Sequence, residues 1–329
     1  MVDLPSESRL ALDWELWVVE HLLFTGKRDD LVRVLVEQGV PFEDAKQQVK
    51  TIEESPGFAR LRARVGEGRL ARQLQSLQAK LAPDRSVRKY DTISKEDLLR
   101  DHWMASRPAL LPEVARSLRA VQTWSMTTLA RRFTNATVEV NVKRLEAERS
   151  ADVEKVSQTM PFPEYVALCQ SQETDAYYIV SRNGLLNRPE FRSLWDDFTP
   201  LPDFLTPLEP PLGVSLWMGP AGTRTRAHFD PHNVLLVQVE GRKQVRLAPR
   251  LAAHQHDLVD GYYLKGEIQA VFGSAVQTVI LEAGQALFMP VGWFHEITAV
   301  DPSITLSFLN FEWPNHFHWL GPPGSDDPR

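Results

Sequence analysis

The sequence predicts a mainly β protein, a sandwich or barrel of short strands, preceded by an all-helical module. Beyond Tyr177 the apolar residues fall in short runs that are separated by turn signals such as Glu240-Gly241 and Asp301-Pro302. From Arg9 to about Leu81 they recur instead at helical spacing. The sequence has neither strands alternating with long helices nor a glycine-rich phosphate loop, which disfavours a βαβ architecture.

The helical module is predicted over residues 1–82, with the second domain over residues 90–329. Glycine ends one helix and proline starts the next at the predicted breaks, which are Thr25-Gly26, Gly39-Val40-Pro41 and Ser55-Pro56-Gly57. Ala82-Pro83-Asp84 has the composition of a linker. The sequence therefore predicts two domains of different secondary structure.

The second domain is predicted to begin with a mixed segment and to continue with strands. The mixed segment has helices at Ser94–Trp103 and Ser125–Arg132 and strands at Ala109–Leu111 and Thr137–Val142. The later predicted strands are Ala176–Ser181, Gly213–Met218, Thr225–Phe229, Val234–Val239, Gln244–Leu247, Val276–Leu281, Ala286–Met289, Glu296–Val300 and Ile304–Leu309.

Composition excludes several classes of protein. Cys169 is the single cysteine of the 329 residues, so no internal disulfide is possible and any metal must be held by histidine and carboxylate. No secretory signal and no apolar stretch of membrane-spanning length is found in the sequence, which predicts a cytoplasmic protein without membrane contact. The net charge of -6 argues against a general nucleic-acid binder.

The charge is unevenly distributed, because residues 57–89 carry nine basic side chains and two acidic ones. A solvated helix face is the favoured interpretation, and a surface for a partner or for a homodimer is the next. Nucleic-acid contact is disfavoured, since no aromatic residues are interleaved with the basic ones.

The clearest chemical pattern is a histidine two residues before an aspartate. On a strand, His228 and Asp230 leave the same face about 6 to 7 Å apart at the backbone, so both can reach one ion. Pro290 and Gly292 end one predicted strand and place His295 at the start of the next. Two histidines and one carboxylate form the metal triad of non-haem Fe(II) oxygenases, which leaves coordination positions open.

The other histidines are weaker candidates. His232 is predicted to lie outside the ligand set, as a neighbouring or a surface group. A second metal group is an alternative but disfavoured interpretation of four histidines in polar segments, His254, His256, His316 and His318.

Two stretches resemble a known family: LWMGPAGTRTRAHFDPHNVLLVQVEGRKQVRLAP at residues 216–249 and LEAGQALFMPVGWFHEI at residues 281–297. They are similar to the Jumonji C, cupin-like hydroxylases that use Fe(II) and 2-oxoglutarate, in the branch of the asparaginyl hydroxylase called factor inhibiting hypoxia-inducible factor. A looser likeness covers residues 108–141 and none covers residues 1–89. The resemblance implies a double-stranded β-helix (cupin or jelly-roll) core, with Fe(II), 2-oxoglutarate and O2 as cofactor and cosubstrates.

The resemblance also implies roles for individual residues. It makes His228, Asp230 and His295 the iron ligands. Lys243, thirteen residues after the aspartate, matches the lysine that pairs with the distal carboxylate of 2-oxoglutarate. Thr225 matches a hydroxyl that hydrogen-bonds the same carboxylate.

Further carried-over positions are less regular. Tyr178 matches a phenol donor to that carboxylate, with the adjacent Tyr177 as the alternative, and Asn310 matches an asparagine at the cosubstrate's metal-binding end. The family usually has asparagine four residues after the iron-binding aspartate, where this chain has Val234, with Asn233 one residue early. Which group takes the place of that asparagine stays open.

The implied activity is hydroxylation of an unactivated C–H bond, with a peptide or protein side chain as the favoured substrate. A small-molecule 2-oxoglutarate oxygenase, a cupin isomerase or dioxygenase without 2-oxoglutarate, and a non-catalytic binding module remain alternatives, as does demethylation instead of stable hydroxylation. The helical module is expected to recognise a macromolecular substrate or to dimerise. The predicted cavity walls are Trp217, Phe229, Leu236, Phe288 and Trp293.

Overall fold

The chain folds as two compact units, residues 1–83 and 84–329. A computed structural model describes residues 12–24, 27–63, 86–142, 157–208, 213–249, 258–259 and 262–315. The predicted linker at residues 82–84, much of the basic stretch and four of the histidines named above (residues 254, 256, 316 and 318) lie outside these ranges.

The N-terminal unit is helical over its described residues, 12–24 and 27–63, as the apolar periodicity there predicts; the rest of the predicted helical stretch and the break at Thr25-Gly26 lie outside the described residues. Its helices are α1 Leu12–Phe24, α2 Arg28–Glu37, α3 Phe42–Glu54 and α4 at residues 56–63. One apolar cluster joins the first three, with Val18, Leu35 and Val49 fully buried. Gly39 has φ +93, which suits the residue that follows a helix end. No helix among the described residues is long and apolar enough to cross a membrane.

The second unit is built on two six-stranded sheets. The strands are β1 Arg88–Lys89, β2 Ala109–Leu111, β3 Thr137–Asn141, β4 Ser157–Pro161, β5 Val214–Gly219, β6 Arg224–His228, β7 Val234–Glu240, β8 Lys243–Pro249, β9 Leu258–Val259, β10 Tyr263–Leu264, β11 Gln277–Leu281, β12 Ala286–Met289, β13 Trp293–Ala299 and β14 Ser303–Phe308. The first sheet has the order β1-β2-β12-β7-β14-β5 and the second β11-β8-β13-β6-β10-β9. β3 and β4 form a separate pair, and only β1 with β2 is parallel among the described strand pairs.

The two sheets face each other across an apolar interior. Leu236 and Leu287 of the first sheet join Val245, Leu247 and Ile297 of the second in one buried cluster. Because side chains alternate along a strand, the intervening residues of β7 point the other way, into a second core. β7 is therefore apolar on both faces, which explains its nearly unbroken hydrophobic run. The predicted mainly β, cupin-like core is confirmed.

Helices cover the outer faces of both sheets. The first sheet packs against α6 Arg119–Thr123, α7 Met126–Arg132, α8 Phe162–Ser171 and the 3-10 turns Ser181–Asn183, Leu185–Asn187 and Pro189–Asp197. The second sheet is covered by α9 Ile268–Phe272 and the turn Gly273–Ala275. A short helix, α5 Lys95–Leu98, continues as a π turn over Leu99–Trp103.

Two predicted strands are placed differently. The strand over Ala176–Ser181 is wrong: Tyr178 and Ile179 make isolated bridges to Asn141 and Met218, and the chain then enters a 3-10 turn. β13 begins at Trp293, three residues before the predicted start, because Pro290 ends the preceding strand and Gly292 completes the turn. His295 consequently lies inside its strand rather than at its beginning.

Candidate active site

Three side chains converge where β6 and β13 meet. His228 and His295 are direct cross-strand partners, with ring centroids 4.2 Å apart. Asp230 follows β6, and its carboxylate oxygens lie 3.8 Å from Nε2 of His228 and 3.6 Å from Nε2 of His295. One ligand atom from each residue lies within 4.8 Å of the other two, so the group could hold a single metal ion.

Backbone carbonyls orient both imidazoles. Nδ1 of His228 lies 2.8 Å from the carbonyl oxygen of Arg226, and Nδ1 of His295 lies 3.1 Å from that of Trp293. Because a carbonyl only accepts, the hydrogen-bond network assigns the proton of each neutral ring to Nδ1. Each Nε2 therefore presents its lone pair toward Asp230, which is the arrangement that metal-binding histidines require.

Burial keeps His295 neutral. Its side chain is 5% exposed, and burial, followed by the nearby His228, lowers the pKa of His295 to about 4. A ring that is uncharged at neutral pH offers a free lone pair to a metal. His228 is additionally flanked by Tyr263 of β10, with ring centroids 5.3 Å apart.

A β-bulge brings Thr225 to the same side as His228. Thr225 pairs with Ile297 and His228 with His295, so three steps along β6 match two along β13. Three residues apart on a regular strand, the two side chains would leave opposite faces. The extra residue of the bulge shifts the alternation of side chains along β6 by one position. Thr225 and His228 therefore line the same cavity. The sequence contains no signal that predicts this bulge.

The departure from the family pattern at residues 233–234 has a structural explanation. Asn233 is buried, and its side-chain oxygen accepts a 2.9 Å hydrogen bond from the amide of Val291, in the turn before β13. Its amide nitrogen donates to Asn315 at 3.0 Å. Asn233 therefore links the start of β7 to the turn before β13 and to Asn315, while Val234 lines the cavity. Ser215 and Ser307 also line the cavity and carry hydroxyl groups. The indole N–H of Trp217 donates a 3.2 Å hydrogen bond to the hydroxyl of Ser307.

A buried cation lies in the same cavity. Lys243, the first residue of β8, is 2% exposed, and its Nζ donates a 3.0 Å hydrogen bond to the hydroxyl of Tyr178, which is also 2% exposed. Within the described part of the chain no carboxylate forms an ion pair with Lys243. An unpaired buried ammonium is costly, so this end of the cavity suits an anionic ligand. Tyr177 packs against the core beyond the first sheet instead.

The cavity has a volume of about 200 Å³ and extends from the three candidate metal ligands to Lys243 and Tyr178. Its lining includes the predicted His228, Asp230, His295, Lys243, Thr225 and Tyr178. His232 lines it as well, and so do Trp217 and Leu236 of the predicted walls.

Four other predicted residues lie elsewhere. Phe229 packs with Phe294 outside the second sheet, and Phe288 points into the core outside the first sheet, because each is out of phase with the inward-facing residues. Trp293 lies in the interior cluster and donates to the carbonyl of Ser106 at 3.0 Å. Asn310 is one residue out of phase with the lining Leu309, and its amide donates to the carbonyl of Thr206.

These features define a cupin-like class of metal-binding protein. A family model described as a cupin-like domain matches residues 95–317, which is most of the chain. The chain belongs to this Jumonji C, cupin-like family, whose members depend on Fe(II), 2-oxoglutarate and O2. The finer assignment to the asparaginyl hydroxylase branch stays a prediction.

Curated relatives extend the likeness. Lysine-specific demethylase JMJ30 of Arabidopsis thaliana is 27% identical over 94% of this chain and 75% of its own length. tRNA wybutosine-synthesizing protein 5 of Danio rerio is 27% identical over 73% of this chain and 79% of the relative. Lysine-specific demethylase 8 of Xenopus tropicalis is 26% identical over 64% of this chain and 49% of its own length, so the match spans about half of that protein.

Proposed function

We propose that the protein is a 2-oxoglutarate-dependent hydroxylase that oxidises a C–H bond on a peptide or protein side chain. His228, Asp230 and His295 would hold Fe(II). Lys243, with Tyr178 and Thr225, would bind the distal carboxylate of 2-oxoglutarate. When bound, iron, cosubstrate and oxygen together supply the oxidant for an unactivated C–H bond.

The chain's own residues provide charge, orientation and exclusion of water. Lys243 neutralises a carboxylate that would otherwise be buried without a partner, and the phenol of Tyr178 fixes the position of the ammonium. The two backbone carbonyls behind His228 and His295 keep each Nε2 directed at the metal position. Apolar side chains of the lining, including Leu236 and Met289, keep water away from the reacting groups.

The size of the cavity carries the proposal of a side chain as the substrate. Its volume is about 200 Å³, against about 300 to 1,000 Å³ for pockets that enclose drug-sized ligands. The substrate must share this space with 2-oxoglutarate. A single side chain that projects from a larger molecule through the open metal end fits that condition.

The names of the relatives raise two further questions, whether the product is demethylated and whether the substrate is a nucleic acid. Two of them are named lysine-specific demethylases, and hydroxylation of an N-methyl group is the first step of demethylation. Another is named for a tRNA modification, although the net charge of -6 disfavours nucleic acid here. We expect residues 1–82 to dock a macromolecular substrate or a second copy of the chain.

The experiment is aerobic turnover with Fe(II) and 2-oxoglutarate, in which succinate and the mass of the substrate are both measured. Peptide libraries with and without N-methyl-lysine, free amino acids and tRNA form the parallel arms. Succinate formation that is coupled to the gain of one oxygen atom on a peptide is the expected result. Coupling only to free amino acids, only to tRNA, or to no substrate despite bound iron would contradict the proposal.

A further inference from the structure

Tyr178 is held from both sides through its backbone. It exchanges two 3.0 Å hydrogen bonds with Asn141, and the next residue, Ile179, exchanges bonds of 2.9 and 3.0 Å with Met218 of β5. The carbonyl of Met218 also accepts a 2.5 Å hydrogen bond from the hydroxyl of Tyr165. The main chain that carries the Tyr178 ring is therefore fixed, and only side-chain rotation can move its hydroxyl.

The ring of Tyr178 lies against a position that has no side chain. A Cβ atom built on Gly219, the last residue of β5, would lie 2.7 Å from Cδ2 and 3.2 Å from Cε2 of the ring, and 2.9 Å from Cγ2 of Thr223. Contacts below 3.0 Å essentially never occur for real Cβ atoms. The backbone of Gly219 is not in the left-handed region, so its conformation does not require glycine. The requirement for glycine at this position comes from the tyrosine ring, which makes the shortest contact, and from the methyl group of Thr223.

We propose that Gly219 is a positioning residue for the cosubstrate. Its missing side chain makes the space in which the Tyr178 ring lies, and in that position the phenol contacts Nζ of Lys243 at 3.0 Å. Alanine at this position would rotate the ring and separate the hydroxyl from the ammonium. The inference rests on the proposed binding of 2-oxoglutarate at Lys243. It adds a residue that touches neither metal nor cosubstrate.

Titration calorimetry of Mn(II)-loaded protein with 2-oxoglutarate tests the consequence for binding. We expect Gly219→Ala and Tyr178→Phe each to raise the dissociation constant about tenfold, the scale of one hydrogen bond to a charged group. Since both act through the same hydroxyl, the double variant should bind within about twofold of Tyr178→Phe. Gly57→Ala is the matched control, because a Cβ at Gly57 meets nothing within 4 Å. Mn(II) affinity should stay unchanged in every variant.

Wild-type affinity in Gly219→Ala, or a further tenfold loss in the double variant, would overturn the proposal. A crystal structure of Gly219→Ala without cosubstrate tests the steric step by itself, and a retained 3.0 Å contact between Tyr178 and Lys243 would also overturn it. Wild-type protein that binds Mn(II) but no 2-oxoglutarate would refute the proposed function instead.

A variant that does not fold still gives a decision. Should Gly219→Ala fail to fold, Thr223→Ser is added to every variant, because it removes the Cγ2 that the new methyl group also meets and keeps the hydroxyl. Recovery of folded protein when Tyr178→Ala is then combined with Gly219→Ala supports the proposed contact. If that combination stays unfolded while Tyr178→Ala with Thr223→Ser folds, the proposal is wrong.

Discussion

The two ends of the cavity differ in their access to solvent. At the metal end, the side chains of His228 and Asp230 are 13% and 30% exposed, while that of His295 is 5% exposed. At the cation end, Lys243 and Tyr178 are each 2% exposed. The metal end can therefore admit a substrate from outside, while the cation end accepts only what fits a small closed space. One cavity therefore combines an accessible metal end for the substrate with a closed cation end for the cosubstrate.

The position of each group in its strand and its neighbours explain the contrast. His228 ends β6 and Asp230 lies in the loop beyond it, whereas His295 lies inside β13 and is buried. Lys243 begins β8, which is hydrogen-bonded between β13 and β11, with Ala299 and Leu281 as its register partners. The Lys243 side chain lines the cavity and is covered by the Tyr178 ring, whereas Asp230 lies beyond its strand and can reach solvent.

The largest expected effect is at the metal end. Asp230→Ala removes the carboxylate whose oxygens lie within 4 Å of both Nε2 atoms. We expect Fe(II) affinity to fall by at least about a hundredfold and succinate formation to be abolished. Metal content after anaerobic dialysis is the measurement, with the exposed Asp196→Ala as the control. Stoichiometric iron in Asp230→Ala would contradict the assignment.

A substitution at the cation end should weaken the binding of 2-oxoglutarate and not that of iron. Lys243→Ala leaves the metal ligands intact but removes the buried charge, so the 2-oxoglutarate concentration for half-saturation should rise about a hundredfold, equivalent to about 3 kcal/mol. Iron affinity should stay at the wild-type value. The exposed Lys265→Ala serves as the control for loss of a lysine charge. An unchanged half-saturation value would show that the cosubstrate binds elsewhere.

Acid should weaken the metal-free protein through His295. Its pKa is lowered from 6.5 to about 4 in the folded state, so between these pH values the unfolded chain binds a proton that the folded chain does not. The stability contribution is therefore present above pH 6.5 and is lost as the pH falls toward 4, by about 3 kcal/mol. Urea unfolding of metal-free protein across this range gives the measurement. Between pH 6.5 and 4, the free energy of unfolding of His295→Gln should fall by about 3 kcal/mol less than that of the wild type. An identical pH dependence in both proteins would rule out His295 as the cause.

The smallest effect is expected at the turn around Val291, which precedes the strand that contains His295. Asn233→Ala deprives the amide of Val291 of its acceptor, and we expect a loss of about 1 to 3 kcal/mol in the free energy of unfolding. Chemical denaturation measures it, and Asn187→Ala at an exposed position is the matched control. Equal stability of the two variants would mean that the turn does not depend on Asn233.

The sequence predicts the metal end better than its surroundings. His228 and Asp230 are recognisable from their two-residue spacing, although Asp230 lies just beyond β6 and not on the predicted strand face, and His295 is recognisable because Pro290 and Gly292 mark the turn before its strand. Thr225 reaches the cavity only through a bulge, which no local residue pattern predicts. Asn310 is predicted by resemblance alone, and it lies beyond β14, where its amide donates to the carbonyl of Thr206 and it does not line the cavity. Its predicted role has no support from the geometry.

Tertiary contacts account for the remaining differences. The segment at Tyr178 has strand composition, yet it makes isolated bridges because its two neighbours, Asn141 and Met218, each pair with a single residue of it. Long-range pairing of that kind is not encoded within a short window of sequence. The helical N-terminal unit, in contrast, follows from local periodicity and turn residues alone.

An anaerobic crystal structure with Fe(II) and 2-oxoglutarate would show whether the three side chains and Lys243 serve one reaction. We expect one iron within about 2.0 to 2.2 Å of His228 Nε2, His295 Nε2 and a carboxylate oxygen of Asp230. We also expect the distal carboxylate of 2-oxoglutarate on Nζ of Lys243. Iron bound at another site, or a cosubstrate carboxylate that leaves Lys243 unpaired, would contradict this expectation.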